Sequence, residues 1–142
     1  MTYAIDIIKK YEGLSLKAYK CAAGVVTIGY GTTKYPDGKP VKMGDVITKT
    51  KAEALLLDYV INQIMPNIHD LNLTNNQEAA LCSLIYNIGW PAFAKSKCYK
   101  AIKTKDWETA FKNWDWIKGG GKVLKGLVKR RAEEMALFFS DI

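Results

Sequence analysis

The chain has 142 residues, 49% of them hydrophobic and 25% charged, with a formal net charge of +7. This is enough chain for one domain with its own core, and a composition near the globular average argues against disorder. Three cysteines, Cys21, Cys82 and Cys98, are an odd number without C-x-x-C spacing, which argues against both a disulfide framework and a zinc site; free thiols are expected, with no metal and no cofactor.

The first apolar run, Tyr3 to Ile8, is interrupted by Asp6 and followed by Lys9 and Lys10, so it reads neither as a signal peptide nor as a membrane span. A soluble cytosolic protein is the expectation. Ala4, Ile7, Ile8 and Tyr11 recur at helical spacing and predict a short amphipathic helix over residues 3–11, with Glu12 at its end. From Lys17 to Thr33 small, β-branched and aromatic residues are punctuated by Gly24, Gly29 and Gly31, which predicts a hairpin or small meander. Tyr35 to Asp45 holds two prolines and two glycines and reads as loop.

Beyond it the pattern is helical. Thr50 and Glu53 have capping-box spacing, and Leu55, Leu56, Tyr59, Val60, Gln63 and Ile64 form a one-sided stripe that Pro66 should end. Thr74 and Gln77 make a second box, opening a helix whose run AALCSLIYNI is apolar nearly all round before Gly89; this is the expected central core helix. Shorter helices are predicted near Cys98–Lys103 and Trp107–Asn113, then a turn at Gly119–Gly121. A final helix should carry Leu127, Val128, Arg131, Met135 and Phe138 along one side. The fold class is α+β and predominantly helical. A small β-containing lobe (about 13–50) and a bridging helix (about 51–65) precede a helical lobe (about 66–142, plus the N-terminal helix), with a ligand cleft between the lobes.

Charge is unevenly spread. Lys95 to Arg131 holds twelve Lys or Arg against Asp106, Glu108 and Asp115. Such a field concentrates polyanions, and charge alone does not choose among nucleic acid, anionic lipid and acidic wall polymers.

Glu12 is the first candidate for chemistry. A glutamate at a helix end is commonly just solvated. Burial against apolar neighbours, here Tyr11, Leu14 and Leu16, is how a carboxyl becomes a proton donor near neutral pH. Cys21 and Thr27 follow at nine and fifteen residues, in the strand region. Singly, they read as a buried filler and an ordinary strand residue. Ser83 and Asn87, one turn apart on the core helix, either face the cleft and hydrogen-bond a ligand or bond within the core. Arg131 lies on the apolar stripe and needs an acidic partner. Trp107, Trp114 and Trp116 suit core packing better than stacking on a ligand. His69 reads as a loop residue.

Taken together, E-x8-C-x5-T, opening on EGLSLKAY and ending at the start of TIGYGT, resembles the phage lysozymes of glycoside hydrolase family 24, the T-even phage endolysin type. LTNNQEAALCSLIYNIG resembles the family's core helix, and GGGKVLKGLVKRRAEE its glycine turn and basic helix start. The resemblance implies a lysozyme-like fold and a muramidase that cuts the β-1,4 bond between N-acetylmuramic acid and N-acetylglucosamine of bacterial peptidoglycan, lysing the host. Glu12 would be the general acid, Cys21 would stand where an aspartate is common, and Thr27 would position water. Tyr30, Asn87 and Arg130 are assigned to the substrate side, Arg130 near Glu12. Many relatives have a histidine where this chain has Thr32, a departure expected to touch local stability more than chemistry. The implied enzyme is a monomer without a nucleic-acid partner, and its basic lobe would favour the acidic wall and a weak electrostatic contact with the anionic membrane. It would wait in the host cytoplasm until a holin permeabilises the membrane. A lytic transglycosylase and a non-catalytic basic wall- or membrane-binding protein are the rival readings.

Overall fold

The computed structural model describes residues 2–142. Helix α1 (Thr2–Glu12) buries Ala4, Ile7 and Ile8, the side its periodicity marks as apolar. Strands β1 (Ser15–Lys20) and β2 (Val26–Gly29) then form an antiparallel hairpin, with Ser15 opposite Gly29, Tyr19 opposite Thr27, Lys20 opposite Val26, and a register shift between Ser15 and Tyr19. β2 is the inner strand: Thr27 and Ile28 are buried, whereas β1 is largely exposed. The loop after β2 is pinned by the Tyr35 hydroxyl, which donates to Asp45 Oδ2 at 2.6 Å.

Helix α2 (Lys49–Tyr59) begins two residues earlier than its expected capping box. Thr48, not Thr50, is the N-cap, and its Oγ1 accepts from the Lys51 N–H at 3.1 Å. Thr50 lies inside the first turn, so its pairing with Glu53 is not a cap.

Pro66 does not end the helix either. The chain widens into a π turn over Val60–Ile64, where the Met65 N–H reaches back to the Val60 carbonyl, and continues through α3 (Met65–Ile68) with Pro66 in its first turn. A proline has no N–H for the carbonyl four residues earlier and its ring collides with that carbonyl. One wide turn removes both conflicts.

Helix α4 (Asn75–Ile88) is the core helix. Thr74 and Gln77 form the expected reciprocal capping box, and every residue from Ala79 to Ile85 is buried. Helices α5 (Trp90–Ala94), α6 (Lys97–Lys103) and α7 (Trp107–Lys112) follow, capped in the last two cases by Ser96 and Asp106. The glycine run makes a two-residue hairpin turn between β3 (Lys118–Gly119) and β4 (Lys122–Val123), where Gly120 and Gly121 take positive φ, a conformation that favours glycine. Trp114 is buried in the core, with Trp107 and Trp116 packed against it.

Helix α8 (Lys125–Phe139) buries Arg131 and Phe138 and half-buries Leu127 and Met135 as expected, but leaves Val128 outside that face and adds Arg130 and Glu134 to it. Val128 is 42% exposed, while Arg130, Arg131, Glu134 and Phe138 are buried. The charges are tolerated because they satisfy one another. Glu134 accepts from Ser83 Oγ, from Arg131 Nη2 at 2.9 Å and from Trp114 Nε1 at 3.3 Å. Arg130 donates from Nε to Ser83 Oγ and from Nη2 to the Ser83 carbonyl. Arg131 Nε lies 2.7 Å from Glu134 Oε1 yet has no hydrogen-bond partner, so that contact is an ion pair whose N–H points off line. This lattice ties α8 to α4.

Glu134→Gln leaves the two arginines short of a buried counter-charge. The loss is expected to be about 3 kcal/mol, read as a fall in Tm of about 10 °C; an unchanged midpoint would show the lattice to be dispensable.

Candidate active site

Glu12 closes α1 with its side chain 21% exposed, and its Oε2 accepts from Arg130 Nη1 at 2.7 Å. The other oxygen, Oε1, lies against Gly31. A Cβ there would come within 3.1 Å of Oε1 and 3.5 Å of the Tyr86 ring, and the backbone φ is +93°, so space and conformation both call for glycine. The Tyr86 hydroxyl donates to the Tyr30 carbonyl, fixing the chain just before Gly31. Glu12 is thus anchored at one oxygen and lies beside Gly31 at the other; Gly31 lines the cleft, whereas Glu12, Cys21 and Thr27 are not among its lining residues.

The apolar surround expected from Leu14 and Leu16 does not form: they are 41% and 40% exposed. Leu14 precedes β1 and Leu16 lies on it, the outer strand of the hairpin, and an arginine takes the place beside the carboxylate.

A cleft of about 830 Å³ runs between the segment Gly31–Pro36 on one side and α2 with the π turn on the other, floored by the end of α4. Asp58, Tyr59 and Asn62 line the helical wall, and Tyr86 and Asn87 the floor. Tyr59 and Tyr86 meet edge to face with centroids 5.3 Å apart. Of the two polar residues expected on α4, Asn87 faces the cleft and is exposed, whereas Ser83 is fully buried among Arg130 and Glu134. The Tyr30 side chain is in the core at 5% exposure, with Lys9 over its ring, and does not line the cleft. Arg130 is buried and reaches outward only as far as Glu12. His69 is exposed, its Nδ1 2.9 Å from the Pro66 carbonyl.

Cys21 and Thr27 come together in the hairpin. The Cys21 N–H donates to the Val25 carbonyl at 2.9 Å, turning the chain so that β2 returns Thr27 alongside. Hydrogen bonding from the Val25 backbone first, then from Ala23, and more weakly from the Thr27 side chain, holds the partly exposed Cys21 thiol below its usual pKa. The single Thr27 hydroxyl proton has two claimants, the Cys21 sulfur and the Val25 carbonyl 3.0 Å away. Because Ser15 faces Gly29, the chain leaving Glu12 runs beside the chain that leads from Thr27 to Gly31. Adjacency therefore comes from strand pairing.

Tyr59 and Tyr86 as cleft walls, and Glu134 as the acid for both arginines, are absent from the sequence reading. Glu134 had a signal, since it stands three residues after Arg131 and four after Arg130. Among the described residues no group of three or more His, Cys, Asp or Glu could hold a metal ion, and no helix is long and apolar enough to cross a membrane.

A family model described as phage lysozyme matches residues 9–134. An endolysin of Acyrthosiphon pisum secondary endosymbiont phage 1 is 43% identical over 141 residues, covering 94% of this chain and 93% of its own. Among solved structures, a mutant of the lysozyme of Salmonella phage P22 is similar at 37% identity and a TM-score of 0.79, over 99% of this chain and 97% of that one. The muramidase domain of SpmX from Asticaccaulis excentricus superposes at a TM-score of 0.82 with 30% identity, again over 99% and 97%. The fold is lysozyme-like.

Burial pushes the Cys82 and Cys98 thiols up to about 12, opposite in direction to Cys21. At about pH 8 the native protein should therefore release one equivalent of chromophore from an aromatic disulfide reagent, at Cys21, and three only after unfolding. Three equivalents at similar rates from the native protein would contradict this placement.

Proposed function

Because the chain belongs to the phage lysozyme family, we propose that it is an endolysin that hydrolyses bacterial peptidoglycan, and that the bond cut is the β-1,4 linkage from N-acetylmuramic acid to N-acetylglucosamine. The observation that carries this reading is the setting of Glu12: Arg130 grips one carboxyl oxygen at 2.7 Å, and the other lies against Gly31 in the wall of an open cleft.

Glycoside cleavage through an oxocarbenium-like state needs a proton delivered to the leaving oxygen and a group on the opposite face of the sugar to direct or supply the nucleophile. Glu12 is assigned the first role. Its carboxyl proton passes to the glycosidic oxygen as the bond from that oxygen to the muramic C1 breaks. Cys21 and Thr27 are assigned the second. Water gives its oxygen to C1, with Thr27 orienting it and the Cys21 sulfur taking its proton. An ordinary thiol, pKa about 8.5, is only a few per cent ionised at pH 7; hydrogen bonding from the Val25 and Ala23 backbone moves Cys21 in the direction this role requires. Asn87 and the tyrosine-lined floor would hold the glycan.

On this reading the enzyme acts as a monomer, without nucleic acid. It remains in the host cytoplasm until a holin opens the membrane to the wall.

Glu12→Gln should lower wall hydrolysis about 100- to 10,000-fold with an unchanged far-UV spectrum, since an amide has no proton to give. A folded variant with near-parental turnover would remove Glu12 from the reaction. Cys21→Ala should lose about a hundredfold, while Cys21→Asp should keep activity and extend it to lower pH, because an aspartate near 3.9 stays charged where a thiol does not. Equal rates for Cys21→Ala and the parent between about pH 5 and 9 would leave the second role to Thr27 alone. Lysis should also slow as salt rises from low to moderate concentration, the excess of Lys and Arg between Lys95 and Arg131 being screened; rates flat over that range would show that field to be irrelevant.

A further inference from the structure

The segment Lys118–Lys129, KGGGKVLKGLVK, contributes nothing to the cleft, yet it is the most unbalanced surface of the molecule. It holds Lys118, Lys122, Lys125 and Lys129 and no acid. All four are exposed, and none forms an ion pair among the described residues. The nearby carboxylate that feels Lys129, Glu133, is already paired with Lys10 at 2.6 Å. Between the lysines stand three apolar side chains that folding leaves in water: Val123 at 57%, Leu124 at 44% and Val128 at 42% exposure.

This surface is held in shape. The β3–β4 hairpin is closed by the Leu124 N–H donating to the Ile117 carbonyl at 2.9 Å, and the Val128 N–H continues into α8 from the Leu124 carbonyl at 3.0 Å. Leu124 folds over Gly119 so closely that a Cβ at residue 119 would strike its δ-carbon. Hairpin and helix start therefore present lysines and aliphatics together.

We propose that Lys118–Lys129 docks the protein on an anionic phospholipid bilayer, with the lysines at the phosphates and Val123, Leu124 and Val128 in the interfacial layer. The composition selects this partner. Nucleic acid and glycan surfaces are met by aromatic faces and arginine forks, and this segment has neither an aromatic residue nor an arginine. Lysine stems and aliphatic side chains suit a boundary that is apolar below and anionic above. No residue of the segment lines the cleft, so docking leaves the cleft open. The proposal stands apart from the reaction assigned to Glu12.

The test is co-sedimentation of the full chain with vesicles of phosphatidylethanolamine and phosphatidylglycerol, and with vesicles of phosphatidylcholine alone. The parent is expected to partition onto the first and not the second. With each lysine near an anionic surface worth about fivefold in binding, Lys122→Gln/Lys125→Gln should bind about 25-fold more weakly. Val123→Ser/Val128→Ser, which keeps every charge, should also lose several-fold. Unchanged circular dichroism checks that the variants fold. The vesicles contain no glycan, so the outcome does not depend on the cleft's substrate. Absence of binding to anionic vesicles, equal binding to neutral ones, or either double variant binding like the parent would overturn the proposal.

Discussion

The ion pair between Arg130 and Glu12 is the contact on which the rest of the site depends. It joins the last residue of α1 to the buried face of α8, and through Ser83 it fixes both to α4. Two guanidinium groups, Arg130 and Arg131, meet two acidic side chains, Glu12 and Glu134, so each buried arginine has an acidic partner. Such a cluster is a poor source of net stability, since desolvation takes back most of the Coulomb gain, but removing one member strands the others at a cost of several kcal/mol. What it supplies is position. Glu12 is held by Nη1 of a guanidinium whose Nε and Nη2 are fixed by Ser83, and an apolar wall of the kind Leu14 and Leu16 were expected to form would not hold a carboxyl at one oxygen.

The cleft is shaped by constraints of a different kind. Its β wall depends on Gly31, which lets the chain pass against the carboxylate. Its helical wall turns at Val60–Ile64, where the widened turn that accommodates Pro66 also presents Asn62 and Gln63 to the cleft. Tyr59 on the helical wall meets Tyr86 of the floor edge to face, where Tyr86 packs against the core.

Periodicity carried much of the architecture: Ala4, Ile7 and Ile8 on α1, the hairpin before Gly31 and the Thr74–Gln77 box were all legible as sequence. The failures came where two local rules competed. Thr48 and Thr50 are both good caps, and only tertiary placement of Ala52 and Leu55 in the core decides the register. Pro66 reads as a terminator because a π turn has no sequence signature as strong as the proline that it relieves. On α8 the expected stripe held at Arg131 and Phe138 but included Val128 and missed Arg130 and Glu134, since hydrophobicity counts do not register charges that pair when buried. The same limit governs the site. Glu12, Cys21 and Thr27 are ordinary singly and informative by spacing, while Tyr30 and Tyr86 exchange places: the tyrosine in the glycine motif is buried in the core, and the one inside the apolar helix lines the cleft.

The central claim is that this site adds water across a glycosidic bond. Its most direct test is mass analysis of the soluble fragments released from peptidoglycan in water enriched in heavy oxygen. Hydrolysis predicts fragments ending in a reducing muramic acid that carries one heavy oxygen at C1. Fragments ending in an anhydromuramic ring with no heavy oxygen would contradict the account, and would identify the enzyme as a transglycosylase.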